Sequence, residues 1–197
     1  NIILDDFKIL IDYVYVDTDE RRRFAQTSHE YIFEQLQYSN IMCVNKGTNN
    51  IELRFNHPVK ELIWILQKKD NINKNFNYFR DDKENDLMKS AKIQLNNIDR
   101  FSNREATYFR LVQPYKYHNG YMSQDSENEY GGFYSYSFSL NPEEYQSSGS
   151  CNFSRIDNAV LTMDCHDDAN EAMLKIYAVS YNVIRIMKGM GGLAYSN

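Results

Sequence analysis

Residues 134–140 alternate without a break. Tyr134, Tyr136, Phe138 and Leu140 fall on one side of an extended chain, and Ser135, Ser137 and Ser139 on the other. A period of two predicts a strand, taken here as residues 132–140. Residues 157–165 repeat the pattern with Ala159, Leu161, Met163 and Cys165. The link between them, residues 140–158, is rich in Asn, Pro, Ser and Gly and too long for a tight hairpin, so it is expected to cross from one sheet to another. Residues 7–16 place Phe7, Ile9, Ile11, Tyr13 and Tyr15 on one face and Leu10, Val14 and Val16 on the other, as in a strand covered on both sides. Residues 45–50 read as a turn cluster. Ile51, Leu53 and Phe55 then form a short strand over 51–55, broken by Asn56, His57 and Pro58, because proline donates no ladder hydrogen bond and restricts the residue before it.

Residues 59–67 hold the single tryptophan, Trp64, among apolar neighbours on both faces, which predicts a central strand with Trp64 in the core rather than stacked on a ligand. Residues 91–96 and the β-branched run 173–187 are two further strands. Residues 30–37 fit either a helix or a strand, and the strand reading completes a set of eight: 7–16, 30–37, 51–55, 59–67, 91–96, 132–140, 157–165 and 173–187. Two short helices are expected. In one, Thr18 offers an N-cap hydroxyl, Asp19 and Glu20 occupy the first turn, and Arg21, Arg22 and Arg23 follow. The other is capped by Ser102 or Asn103, runs through Glu105, Phe109 and Leu111, and ends at Pro114. Residues 68–89 and 115–132 are long polar loops. Eight antiparallel strands suit two packed sheets of the jelly-roll kind, with a barrel or another sandwich left open by the pattern alone.

Composition adds bounds. A chain of 197 residues suggests one domain. A net charge of −5 and a pI near 5.4 argue against a general nucleic-acid-coating role. With acids beside them, Arg21 to Arg23 read as a solvated or ion-paired helix flank. No secretory signal or bilayer-length apolar run is present. Residue 1 is Asn, so an excised or processed chain is expected. Cys43, Cys151 and Cys165 are odd in number and lack paired spacing, which points to buried free thiols in a reducing compartment.

Catalytic signals are weak. Glu143 and Glu144 are adjacent and point apart on extended chain, unlike a glycosidase pair. His166, Asp167 and Asp168 read as a loop between strands. No Cys-x-x-Cys, His-x-x-x-His or Gly-x-Ser-x-Gly occurs. Asn152-Phe153-Ser154 matches the glycosylation acceptor pattern, a tripeptide common by chance. The expectation is no enzyme activity, no cofactor and no metal.

Four stretches carry a resemblance: residues 17–26 (Asp-Thr-Asp-Glu-Arg-Arg-Arg-Phe-Ala-Gln), 55–64 (Phe-Asn-His-Pro-Val-Lys-Glu-Leu-Ile-Trp), 141–158 (Asn-Pro-Glu-Glu-Tyr-Gln, then Ser-Gly-Ser-Cys-Asn-Phe-Ser-Arg-Ile-Asp-Asn), and 177–197, ending Gly-Met-Gly-Gly-Leu-Ala-Tyr-Ser-Asn. In this order they resemble the major capsid protein of the nucleocytoplasmic large DNA viruses of eukaryotes. Ser147 and Lys188 depart from the motif, which usually has Pro and a small polar residue there. The resemblance implies an all-β, eight-stranded antiparallel jelly-roll sandwich, with residues 1–197 forming one domain like the second of two jelly rolls. It implies a structural shell protein of the virion, made in host cytoplasm. It would act as a homotrimer together with the preceding jelly roll, giving a pseudo-hexameric capsomer that meets neighbouring capsomers and minor capsid proteins, without direct nucleic-acid contact or a transmembrane segment. The matching positions are Asp19, Glu20, Arg21, Arg22, Arg23, Asn56, His57, Pro58, Asn152, Arg155, Asn158, Gly189, Gly191 and Gly192, expected to fix loops and junctions. The rival reading is a carbohydrate-binding jelly-roll module, with Tyr115, Tyr117 and Tyr121 as an aromatic platform.

Overall fold

A computed structural model describes residues 8–69, 86–119 and 133–195. By backbone contacts the chain divides into two units, one of residues 32–182 and one holding the described residues on either side, 8–31 and 183–195. The buried core lies in the first.

Twelve strands are present among the described residues. One sheet runs β1 (His29–Tyr38), β11 (Ala172–Met187), β4 (Pro58–Gln67), β8 (Phe133–Ser137). Short strands β2 (Met42–Val44) and β12 (Met190–Leu193) pair with β11, and β9 (Cys151–Asn152) pairs with β4. The other sheet runs β3 (Gly47–Glu52), β10 (Ala159–Cys165), β5 (Met88–Leu95), β6 (Ile98–Asp99), with β7 (Arg104–Glu105) on β5. Eight of these nest by sequence. The outermost, β1 and β11, pair with each other; inside them β3 pairs with β10, then β4 with β8, then β5 with β6. This is a long antiparallel ribbon wrapped into two sheets, the jelly-roll arrangement.

The core fills the space between the sheets. Leu62, Trp64, Leu66, Leu174, Ile176 and Ala178 come from one; Ile51, Ala91, Ile93, Ala159, Leu161 and Met163 come from the other. Trp64 is fully buried, 6.0 Å from the Tyr134 ring and 5.2 Å from that of Phe109. The expected core role of Trp64 holds, and so do the alternations of β10 and β11. The register of β11 on β4 shifts once, between Val179 and Ser180, a bulge that passes over Lys60 of β4; beside it Ser180, Tyr181 and Asn182 are all buried.

Several expectations are corrected. Residues 8–17 form no strand: among the described residues no ladder pairs with them, and their large apolar side chains are exposed. Phe7 lies outside the described residues. The place held for that segment in the set of eight is taken by β6, whose two residues are too few to show a period. Residues 47–50 belong to β3 rather than to a turn, because Asn49 and Asn50 lie in register opposite Met163 and Thr162 of β10. The strand at 51–55 therefore ends at Glu52. The strand expected at 91–96 spans 88–95 and stops before a tight turn at Asn96 and Asn97. β8 ends at Ser137, and Leu140 is exposed. The serine face of that stretch is buried as well. Ser137 Oγ donates to the Ser139 carbonyl at 2.7 Å, and the Ser139 and Ser148 hydroxyls meet at 2.7 Å.

The helices also differ. In α1 (Thr18–Gln26) the N-cap is Asp17, not Thr18; its carboxylate accepts the Glu20 amide at 2.9 Å. A carboxylate completes the capping bond and also favours the positive end of the helix. The second helix does not end at Pro114. A π-helical turn, Tyr108–Val112, runs directly into α2 (Gln113–Tyr117), with Pro114 in the first turn of α2. Pro114 lacks an amide donor, and it falls directly after the π-helical turn, where the regular i→i−4 ladder is already interrupted. Ser102 and Asn103 precede the helix without capping it, and Asn103 donates to Ser90 instead. Residues 70–85 and 120–132 of the two long loops lie outside the described residues. Cys165 is buried and its thiol is pushed up to about 11, mainly by burial, but Cys43 is exposed, so the expectation of three buried thiols fails there. Cys43 lies in β2, a strand the sequence pattern did not reveal.

Two polar clusters fasten the helical segment to the sheet. Asp86 lies 3.0 Å from the Arg110 guanidinium and accepts the Tyr134 hydroxyl at 3.0 Å. Burial and the Asp86 charge hold the Tyr134 phenol well above its ordinary range. At the end of α2, the His118 ring sits 2.8 Å from Glu61 of β4. That hydrogen bond raises the imidazole pKa above its ordinary 6.5, with burial opposing it. A raised folded-state pKa contributes stability that is fully present below about pH 6.5 and is lost as pH rises through the folded value. The urea midpoint of His118→Gln is therefore expected to fall below that of the parent at pH 6 and to converge with it as pH is raised past the folded-state value. Urea titrations in steps across pH 6–9 check this, and a gap that widens with pH contradicts it.

Candidate functional site

The chain crosses between sheets through residues 138–158, and that crossing gathers two of the sequence motifs at one junction. His57 precedes β4 with a φ of 64° and is buried. Its amide donates to Ser154 Oγ at 2.8 Å, and its carbonyl accepts the Phe153 amide at 3.0 Å. Pro58 pairs with Asn152 and Val59 with Cys151. Asn152 caps the single 3₁₀ turn Phe153–Arg155, its side-chain oxygen accepting the Ser154 amide at 3.1 Å. Phe153 is buried edge-on to Phe55 and Phe138, with ring centres 6.2 and 5.9 Å away. A left-handed non-glycine residue costs free energy, and here the backbone bonds on both sides of His57 hold it.

The other end of the crossing is fixed by Asn96 and Asn97, with φ of 51° and 63°. They form the two-residue turn between β5 and β6, in the mirror-type geometry that asparagine tolerates. Asn96 Oδ1 accepts the amides of Asp157 and Asn158 at 3.0 and 3.2 Å, and its own amide donates to the Asn158 carbonyl at 2.7 Å. Asn158 Nδ2 reaches Asn97 Oδ1 at 3.0 Å. On the opposite flank, Gln37 of β1 grips Asn56 by both backbone groups, accepting its amide at 2.9 Å and donating to its carbonyl at 2.5 Å; it also donates to Ser180 Oγ at 2.8 Å. Gly149 adopts a φ of 135°, where a Cβ would stand 3.2 Å from the Phe138 carbonyl.

Side chains here satisfy backbone groups. Glu143 accepts the Asn119 amide at 2.7 Å while Glu144 takes the Asn141 side chain at 3.3 Å, so the two acids serve separate loops. Among the described residues no three His, Cys, Asp or Glu side chains stand close enough to hold a metal. Of the expected aromatic platform, Tyr115 is exposed, Tyr117 is half-buried with the Lys116 ammonium 5.2 Å from its ring centre, and Tyr121 lies outside the described residues.

Comparison with known proteins gives the context. The profile described as large eukaryotic DNA virus major capsid protein matches residues 20–192. The major capsid protein of Pyramimonas orientalis virus is 45% identical over 98% of this chain and 50% of its own length. That of Paramecium bursaria Chlorella virus 1 is 37% identical over 96% of this chain and 54% of its own. A quasi-atomic model of the PBCV-1 virus capsid superposes with a TM-score of 0.77 at 36% identity, covering 94% of this chain and 56% of that one. The chain belongs to the major capsid protein family of large eukaryotic DNA viruses. It spans about half the length of the relatives it matches.

Within this capsid-family chain, the matching positions fall into three places. Asn56, His57, Pro58, Asn152 and Asn158 meet at the junction, with Arg155 exposed on its 3₁₀ turn. Asp19 to Arg23 lie on α1, where Arg22 and Asp19 pair at 3.2 Å on an exposed face, in keeping with an ion-paired flank. Gly189 makes the β11–β12 turn with a φ of 77°, next to Lys188 at 52°. Gly191 and Gly192 lie in β12, where an added Cβ would meet at most an ordinary contact, so neither is required sterically. The sequence reading missed Gln37, Asn96, Asn97, Gly149 and Ser154. The Asn-Asn pair after an apolar strand was a usable turn signal; Gln37 and Ser154 act over separations of 19 and 97 residues and left none.

Asn96→Ala strands two amides and places alanine in a left-handed turn, with an expected loss of about 1–3 kcal/mol. Gly192→Ala in the same background is expected to stay within about 0.5 kcal/mol of the parent. Chemical denaturation of the two variants checks the contrast, and equal effects contradict it.

Proposed function

We propose that the chain is one jelly roll of a double jelly-roll major capsid subunit and serves as a structural, non-enzymatic part of an icosahedral virion shell. In this reading the preceding jelly roll and residues 1–197 form one subunit, and three subunits make a pseudo-hexameric capsomer. Capsomers meet one another and minor capsid proteins through loops at the ends of the sandwiches, away from the nucleic acid. Synthesis takes place in host cytoplasm. The observation that carries this is the match of 98% of the chain at 45% identity to half of a major capsid protein. The junction is in keeping with it: its polar side chains are spent on fixing loops at one end of the sandwich.

Light scattering on the gene's complete product and on residues 1–197 alone tests the proposal. The complete product is expected to be a trimer, and residues 1–197 alone are expected not to assemble efficiently. A monomeric complete product, or a stable, concentration-independent trimer of residues 1–197, contradicts it.

A further inference from the structure

Three polar contacts hold α2 to the sandwich, and one of them changes charge near neutral pH. Gln113, at the start of α2, accepts the Ser137 amide of β8 at 3.1 Å. Just past the last turn, the Asn119 amide donates to Glu143 in the crossing at 2.7 Å. Between them the His118 ring meets the Glu61 carboxylate of β4 at 2.8 Å. An amide does not titrate and a carboxylate does so well below neutrality, so the imidazole is the group of this set that switches between pH 6 and pH 9. The charges around the ring are one-sided. β4 faces it with Glu61, which is buried, and the crossing faces it with Glu143. Lys60, next to Glu61, is taken by Glu34 of β1 and lies 5.6 Å from the Tyr181 ring centre. β8 carries no charged residue. The charged side chain of α2 itself is Lys116, 5.2 Å from the Tyr117 ring centre, and Arg110 of the preceding turn pairs with Asp86. The ring therefore sits between two carboxylates that favour its protonated form, with burial opposing them. Its Nδ1 is buried with no hydrogen-bond partner among the described residues, so its hold on the sheet runs through Glu61.

We propose that His118 is a pH-responsive latch: protonated, it pins the end of α2 to β4 and to the crossing; neutral, it lets residues 116–119 open locally while the two sheets stay packed. The start of the helical segment does not depend on the pin, because Phe109 is fully buried against Trp64 and Gln113 holds β8. The far end does. α2 has five residues and buries only Gln113 and Pro114, so the last turn has little apolar packing to keep it closed. The sign follows from the direction of the shift. The pin is complete below the ordinary imidazole value of 6.5 and is lost as pH rises through the raised folded-state value. The latch is a property of this sandwich and stands apart from the capsomer reading.

Trypsin cleavage of the Lys116–Tyr117 bond in the complete gene product tests it, since cleavage at low protease tracks the population of the open form. Each rate is divided by that of a free peptide of residues 111–120 in the same buffer, which removes the pH dependence of the protease. The protection so measured is expected to fall at least about threefold between pH 6 and pH 8.5. In His118→Gln, compared with a peptide carrying the same substitution, it is expected to be low at pH 6 already and to stay level. Protection that is level with pH in the parent overturns the proposal, and so does a fall of the parent's size in His118→Gln. Circular dichroism melts of the parent at the two pH values separate a local opening from a global one. The cooperative transition is expected to persist at pH 8.5, and its loss there overturns the proposal as well.

Discussion

The crossing between the sheets constrains everything else. A sandwich wound from one antiparallel ribbon must carry its chain from β8 in one sheet to β10 in the other, and β10 sits between β3 and β5, paired along its length with both. A slip of one residue on arrival would turn Leu161 and Met163 out of the core and break two ladders at once. The register is set by backbone bonds before the strand begins: Asn96 takes the amides of Asp157 and Asn158, and His57 is bonded on both sides to the turn at Phe153–Arg155. Phe153 adds an apolar anchor among Phe55 and Phe138. Burial of such a ring contributes about 1.5–3 kcal/mol, comparable to the hydrogen bonds around it.

That arrangement explains why residues far apart in sequence act together. Asn56-His57-Pro58 opens β4, and Asn152 to Asn158 closes the crossing; one fixes the other. Gln37 extends the lock to the outer strand by holding both backbone groups of Asn56. Polar side chains used in this way leave a sandwich with rigid ends. Loops fixed in this way suit the shell role proposed above.

Much of this was legible along the chain. The alternations of β10 and β11, and the doubly apolar β4 around Trp64, name the strands and the core directly, and the break at Pro58 marks where β4 starts. Other elements carry no period. β6, β7 and β9 have two residues each and exist only because a partner ladder reaches them. The buried serines of residues 135–139 read as a solvent face, since nothing local says that Gln113 of α2 will accept the Ser137 amide at 3.1 Å and the Ser148 hydroxyl will close on Ser139. Residues 8–16 show the converse. Their period is that of a strand, but a strand is made by its neighbours, and none pairs with them among the described residues.

The measurement that bears most directly on the crossing is a thermal melt, followed by circular dichroism, of the chain lacking residues 146–149. Those residues include Ser148, which bonds the Asn141 amide at 2.8 Å, and Gly149 with its φ of 135°. Without them the crossing cannot deliver β10 in register, and the account predicts that the cooperative transition disappears. A melt that keeps the parent's midpoint and steepness would show that the two sheets find each other without it.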